Sequence, residues 1–374
     1  MNGSRAYRCG GLRWLEGAPS ALPGSLLFAA GLAGNALALG LLWHHHHRRR
    51  RRGVGGGRGV PAFQLLIGAL AATDLLGKCL LSPVVLAAYA RNRSLSALWP
   101  PTAAEAPGGS AAAAAVEGVP PGGLCQLFAC LMAFFGLAPS LLLLAMALDV
   151  WLSLGRPYCY QRHARRRRRL GALLGGAAGA LCALFCALPL LGFGAPVQYC
   201  PGTWCFLRMA GPGPGRAYAL LYASLLGLLV LAVGLLNLAT MRSLCRLARR
   251  QPPRGSRLGS ARAPAPAPAP SRLEELGHLT LLALMTVVFT VCSLPLIIRA
   301  YVGALAPDYD ESADLTALRF FSVNSIVDPW VFIIFRTAVF RTCLHRVSRT
   351  LSYKRSLDSQ LLETSTRKDS GQLQ

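Results

Sequence analysis

Apolar residues along this 374-residue chain fall into seven long runs. Charged residues, proline and glycine gather in the gaps between them. The runs occupy about 20–43, 60–90, 122–154, 170–194, 216–243, 275–303 and 313–335. Each is long enough for a helix to cross a bilayer, which takes ~20 predominantly apolar residues. Helices satisfy their own backbone polar groups in lipid. The pattern therefore predicts an all-α membrane protein, a seven-transmembrane helix bundle over residues 20–337. Residues 1–19 form an extracellular N-terminus with no apolar core, so the first run is expected to act as an uncleaved signal anchor. Residues 338–374 form a cytoplasmic tail. Its basic, amphipathic start, with Val339, Phe340, Cys343, Leu344 and Val347, suits a short helix on the membrane surface. Cys343 is a candidate for palmitoylation.

Two connections are of low complexity. Trp99 to Gly123 is rich in Ala, Pro and Gly, and Ala263 to Pro270 is an Ala-Pro repeat expected to be an extended linker. No internal repeat of the transporter kind is visible.

The composition is 53% hydrophobic and 14% charged, with a formal net charge of +24. Such a charge invites a nucleic-acid reading, which its distribution excludes. Most Lys and Arg lie after the first, third and fifth runs and in the tail, which is the positive-inside pattern. That places the N-terminus outside and the C-terminus in the cytoplasm. Arg48 to Arg52 and Arg165 to Arg169 are juxtamembrane clusters that attract anionic membrane lipid. His44 to His47 read as a biased loop tract rather than a metal site. Asn2 and Asn92 head glycosylation sequons on the outer side.

The chemistry lies in the few polar groups within the apolar runs. Arg319 sits near the start of the seventh and cannot shed its proton. An unpaired guanidinium in lipid is costly, so it faces an anion, faces water in a cavity, or snorkels to the headgroups. No acid in the upper half of a neighbouring run is an obvious partner, which points to the carboxylate of a ligand. Asp74, Lys78 and Asp328 are further intramembrane charges, functional by default. Lys78 could also pair with Asp74 one turn away. Of twelve cysteines, Cys9, Cys125, Cys200 and Cys205 lie on the outer, oxidising side. They imply two bridges with three possible pairings. No catalytic constellation, phosphate loop or cofactor site appears, so no enzyme and no cofactor are expected. A receptor for an organic anion and an ion-coupled carrier of one both remain open at this point.

The loop Gln198-Tyr199-Cys200-Pro201-Gly202-Thr203-Trp204-Cys205-Phe206 resembles the second extracellular loop of the prostanoid receptors, a branch of the rhodopsin-like G-protein-coupled receptors. Arg319-Phe320 and Ser322 to Trp330 resemble the seventh helix of that family. Asp74 to Ala90, Trp151 to Gly155 and Tyr7-Arg8-Cys9 resemble most closely its prostaglandin D2-binding branch. The resemblance covers about Cys9 to Arg341, apart from the low-complexity loops.

The resemblance implies a receptor for prostaglandin D2, a lipid mediator. It would act in the plasma membrane through a stimulatory heterotrimeric G protein that raises cyclic AMP. Arrestin and receptor kinases are further possible partners, and Ser356, Ser359, Thr364, Ser365, Thr366 and Ser370 are available for phosphorylation. Prostacyclin or prostaglandin E2 as ligand is the alternative within the family; Phe206-Leu207-Arg208-Met209 resembles the prostacyclin type. The family's bridges correspond to Cys125 with Cys205 and Cys9 with Cys200. Its carboxylate site corresponds to Arg319, Tyr89 and Thr203. On an ideal helix Lys78 and Tyr89 differ by only about 20° and Lys78 and Ser82 by about 40°, which suits a long ligand with hydroxyls along its body. Ser322 is a further hydroxyl partner, and Trp204 either touches ligand or packs the loop as a lid. Asp74, Asn324 and Asp328 resemble the sodium or water network of the class.

Arg319 and Asp328 lie about 180° apart on an ideal helix, so both face inward only if the helix is distorted between them, as Pro329 could allow. Pro295 is expected to kink the sixth helix and let its inner end move outward. Two departures stand out. Asp149-Val150-Trp151 lacks the arginine usual at the centre of that triplet, a gap shared by the prostaglandin D2 branch. Pro139 falls where relatives carry a small polar residue at the ion site.

Overall fold

A computed structural model describes residues 7–17, 20–51, 62–98, 122–155, 164–211, 214–249, 272–306 and 310–336. Asn2, Cys159, Cys343, the low-complexity segments 99–121 and 263–270, and the tail beyond Arg336 lie outside the described residues.

Seven helices among them are long and apolar enough to cross a membrane. They are α1 Leu22–Arg51, α2 Ala62–Arg91, α3 Gly123–Gly155, α4 Ala164–Ala187, α5 Pro214–Arg249, α6 Arg272–Leu305 and α7 Glu311–Arg336. Residues Met1–Trp330 form one compact unit and Val331–Gln374 a second. The described part of the second, 331–336, is the end of α7. α1 continues past its apolar run through His44 to Arg51, and α4 begins within the arginine cluster. Charged side chains at a membrane surface do not stop a helix whose backbone they leave bonded.

Half of the most apolar window of α3 is buried, against 17% for α4. α3 is thus the central helix and α4 a peripheral one. Much of what pins the helices together is side chain to backbone. The Tyr222 hydroxyl of α5 donates to the Ala133 carbonyl of α3 at 3.0 Å. Asn35 of α1 donates to the Ser325 carbonyl of α7 at 3.0 Å, and Trp330 donates to the Ala30 carbonyl at 3.3 Å. A Cβ on Gly34 would stand 2.9 Å from that indole nitrogen, so the close approach of α1 and α7 depends on this glycine.

The loop after α4 is more ordered than a connection. Pro196–Tyr199 (β1) pairs antiparallel with Trp204–Leu207 (β2), Val197 opposite Phe206 and Gln198 opposite Cys205. Aromatic and β-branched residues either side of Pro201-Gly202 are a hairpin signal. Both outer bridges end in this hairpin, as Cys9–Cys200 and Cys125–Cys205. A single helical turn, Leu95–Leu98, follows α2, and Arg93 bridges to Trp14 of the N-terminal segment.

Candidate functional site

A cavity of about 140 Å³ opens inside the bundle. Its walls are apolar and come from α1 (Leu27, Phe28), α2, α3 (Met132, Phe135, Gly136), α6 (Phe289) and α7 (Phe321), with Trp204 of the hairpin above. Lys78, Ser82 and Ser322 line it, and Asp74 and Asn324 contribute polar wall. A mostly apolar cleft with a few convergent polar groups is the usual form of a small-molecule site.

Lys78 is the cation in this wall. Its ammonium donates to the Ser322 carbonyl at 3.1 Å, with Asp74 as its charge neighbour one turn away. The Ser322 hydroxyl donates back to the Arg319 carbonyl at 2.8 Å. The deeper acids are 2% and 1% exposed at Asp74 and Asp328. Asn324 Nδ2 donates to Asp328 Oδ2 at 3.1 Å. Both Asp74 carboxylate oxygens, Asn324 Oδ1 and Asp328 Oδ1 are buried without a hydrogen-bond partner among the described residues. Buried oxygens of this kind take up water or a hard cation, for which an all-oxygen donor set is suited. Pro139 lines the same wall and offers neither hydroxyl nor N–H to such a guest.

Thr203 is buried, and its hydroxyl lies 3.5 Å from the Tyr89 hydroxyl, so these two outer residues meet above the cavity-lining set. Arg319 departs from expectation. It is exposed and is absent from the cavity wall. The reason is the one geometry foreshadowed: α7 runs unbroken from Glu311 to Arg336, so Asp328 points in and Arg319 points away from it. Pro329 leaves the helix continuous. Arg319 does share a stripe with Ile326, within about 20° and two turns higher, and Ile326 lines the cavity. Its attachment point on α7 is therefore two turns above a cavity-lining position, while its side chain is exposed.

Val150, in place of the usual arginine, is buried; Asp149 is half-buried and Trp151 exposed. Pro295 lies within a continuous α6. Asn92 is exposed at the end of α2 with φ +48, while Ser94 of its sequon is buried and donates to the Leu12 carbonyl at 2.6 Å.

The lid has an organisation that pattern reading did not reach. Gln198, fully buried, donates to the Cys9 carbonyl at 2.8 Å and the Leu12 carbonyl at 3.1 Å, and accepts from the Ser96 N–H at 3.0 Å. Glu311 accepts from the N–H groups of Arg8 and Cys200. Tyr7 packs edge-on to Tyr199, and its hydroxyl accepts from the N–H groups of Met209 and Ala210 at 3.2 and 3.0 Å. Burial, and secondly the Asp314 carboxylate, push the Tyr7 phenol up to about 12. Tyr199 is likewise pushed well above its ordinary range, chiefly by burial. Arg299 of α6 donates through Nε to the buried Asp314 of α7 at 2.7 Å, a partly buried ion pair. An acid in the seventh run thus faces an arginine of the sixth. Cys9, Cys200 and Glu311 lie together, but both sulfurs are tied in the bridge and offer no metal a thiolate.

Comparison with known proteins agrees with this architecture. The model of the 7 transmembrane receptor (rhodopsin family) matches residues 113–332. The prostaglandin D2 receptor of Mus musculus is 47% identical over 368 residues, covering 94% of this chain and 96% of that protein. The prostaglandin D2 receptor of Homo sapiens is 48% identical over 369 residues, covering 93% and 95%. The prostacyclin receptor of Homo sapiens is 47% identical over 340 residues, covering 90% and 78%. The chain belongs to the rhodopsin family of seven-transmembrane receptors, and within it to the prostanoid receptors. It is a multi-pass membrane receptor and not an enzyme, and prostaglandin D2 receptors are among its most similar relatives.

Proposed function

We propose that this chain is a plasma-membrane receptor for prostaglandin D2 that acts through a stimulatory heterotrimeric G protein to raise cyclic AMP. Its N-terminus is extracellular and its C-terminus cytoplasmic. The observation that carries the reading is near full-length identity of 47–49% to prostaglandin D2 receptors. The cavity supports it. A fatty-acid-derived ligand brings a long apolar body, a few hydroxyls and one carboxylate. The wall offers apolar surface, the serines Ser82 and Ser322, and the ammonium of Lys78.

We assign the carboxylate to Arg319, assisted by Tyr89 and Thr203. The ring and its substituents go to Lys78, Ser82 and Ser322, with Trp204 above. Binding then requires the exposed Arg319 guanidinium to fold over the edge of the cavity above Ile326. A bidentate guanidinium–carboxylate pair out of bulk water is strong and directional. Ligand binding favours the arrangement of helices that opens the cytoplasmic face to the G protein.

The test is cyclic AMP accumulation in cells expressing the chain, its Arg319→Ala variant and its Lys78→Ala variant. Each is titrated with prostaglandin D2, prostaglandin E2 and a prostacyclin analogue. The reading expects greatest potency for D2, with loss of about 100-fold or more in Arg319→Ala, as for a buried charge left unpaired. Lys78→Ala should weaken D2 more than the other two. Greater potency for the prostacyclin analogue would replace the ligand while keeping the receptor class. A full D2 response in Arg319→Ala would move the carboxylate to Lys78.

A further inference from the structure

Between α5 and α6, on the inner side of Pro295, lies a polar contact that the ligand site does not use. Asn237 Nδ2 donates to Thr286 Oγ1 at 2.7 Å. The Thr286 hydroxyl in turn donates to the Leu282 carbonyl at 2.7 Å, and Thr290 donates to the Thr286 carbonyl at 2.7 Å. Asn237 Oδ1 is buried and has no hydrogen-bond partner among the described residues. Turning the amide over does not relieve this. The oxygen would then face Thr286, and the amide hydrogens would be the buried, unpaired group.

We propose that Asn237 is a two-way switch between α5 and α6: its paired amide atom latches the inner halves of the helices together, and its unpaired one favours their separation. Thr286 lies nine residues before Pro295, in the part of α6 that a pivot at that proline carries outward. Separation breaks one hydrogen bond but lets water reach a buried carbonyl, so the two terms oppose each other and the element is poised. This inference rests on the receptor reading above, and Asn237 acts as a positioning residue, touching neither ligand nor G protein.

The experiment compares basal cyclic AMP and the prostaglandin D2 concentration–response at matched surface expression. Thr286→Val removes the latch while keeping shape, and leaves the whole amide unpaired. Basal signal should rise about 3–10-fold, the effect of one net hydrogen bond on a two-state equilibrium, and the D2 midpoint should shift to lower concentration. Thr286→Ser keeps the hydroxyl and should stay at the wild-type level. Asn237→Leu removes latch and orphan together and should sit at or below wild type. Should Thr286→Val fail to reach the surface, Thr286→Ala carries the same expectation.

An equal basal rise in Asn237→Leu and Thr286→Val would mean simple loosening of the helix pair and would overturn the two-way role. No rise in Thr286→Val, with a normal wild-type response to D2, would overturn the latch and leave the receptor reading intact. A wild type silent to every prostanoid strikes the receptor reading itself and removes the ground of this inference.

Discussion

A Cβ on Gly136 would stand 2.2 Å from Cε1 of Phe321 and 2.8 Å from the Tyr222 hydroxyl. Two aromatic side chains therefore occupy the space that any other residue here would claim. Gly136→Ala should destabilise the detergent-solubilised receptor by about 1–3 kcal/mol, the usual consequence of overpacking a filled core. Adding Phe321→Leu should recover most of the lost melting temperature; failure to recover would mean that Tyr222, not Phe321, is the obstacle. Charge sets the second residue-scale expectation. Asp314 is almost wholly buried beside the partly exposed Arg299, so Asp314→Ala removes the guanidinium's charged acceptor and should cost about 1–3 kcal/mol. Replacing both by apolar residues of similar volume should restore much of this, seen as a non-additive double-mutant cycle in thermal melting. At this scale the sequence was partly legible. Rare intramembrane charges announced Asp74, Lys78 and Asp328, because lipid makes such residues expensive. Gly136, Phe321 and Phe289 carried no signal, since an apolar residue lining a cavity reads the same as one filling a core.

Among the elements, the β1–β2 hairpin is held from three sides: by two bridges, by Gln198 and by the N-terminal segment. Gln198 supports three backbone groups at once; the Leu12 and Cys9 carbonyls keep second donors, but Gln198→Leu takes the acceptor from the Ser96 N–H and should destabilise the lid by about 1–3 kcal/mol. Faster amide exchange confined to residues 7–16 and 94–98 would show it, while unchanged exchange there would sink the idea. Tyr7 gives a pH expectation with a definite sign. Its folded pKa of about 12 stands above the ordinary phenol value of ~10. Between those values the unfolded chain has lost a proton that the folded chain keeps, so stability falls as pH rises. The contribution is fully present below ~10 and is lost as pH climbs to about 12. The phenolate absorbance missing from Tyr7→Phe should titrate near the upper value; titration at the ordinary value would mean an open lid. The hairpin was readable in retrospect from its Pro-Gly turn between aromatic and β-branched residues. Its partners were not, because Gln198 and Tyr7 find them far away in sequence.

For the molecule as a whole, the charge asymmetry and the outer bridges make one statement about orientation. An epitope fused to the N-terminus should stain on intact cells, and one fused to the C-terminus only after permeabilisation; the reverse result would overturn the assigned topology. Cys125→Ser with Cys205→Ser releases a bridge spanning 80 residues and should cost about 2–5 kcal/mol, measured as a lower melting temperature and lost ligand binding.

The sequence by itself determined the number of spanning helices and which stretches are left outside the bilayer as connections. Both follow from transfer of residues between water and lipid, which is local and additive along the chain. The same locality made the bilayer-crossing runs visible although their ends were not: α1 and α4 run on as helix into arginine clusters. Only the tertiary structure decided which faces meet. It placed Lys78 on a carbonyl of α7, left Arg319 exposed and out of the cavity wall, and set Asn237 against Thr286. Those outcomes depend on the rotation of seven helices about their own axes. That rotation is fixed by close contacts between residues distant in sequence, such as Gly34 with Trp330 and Gly136 with Phe321, and no local pattern encodes it.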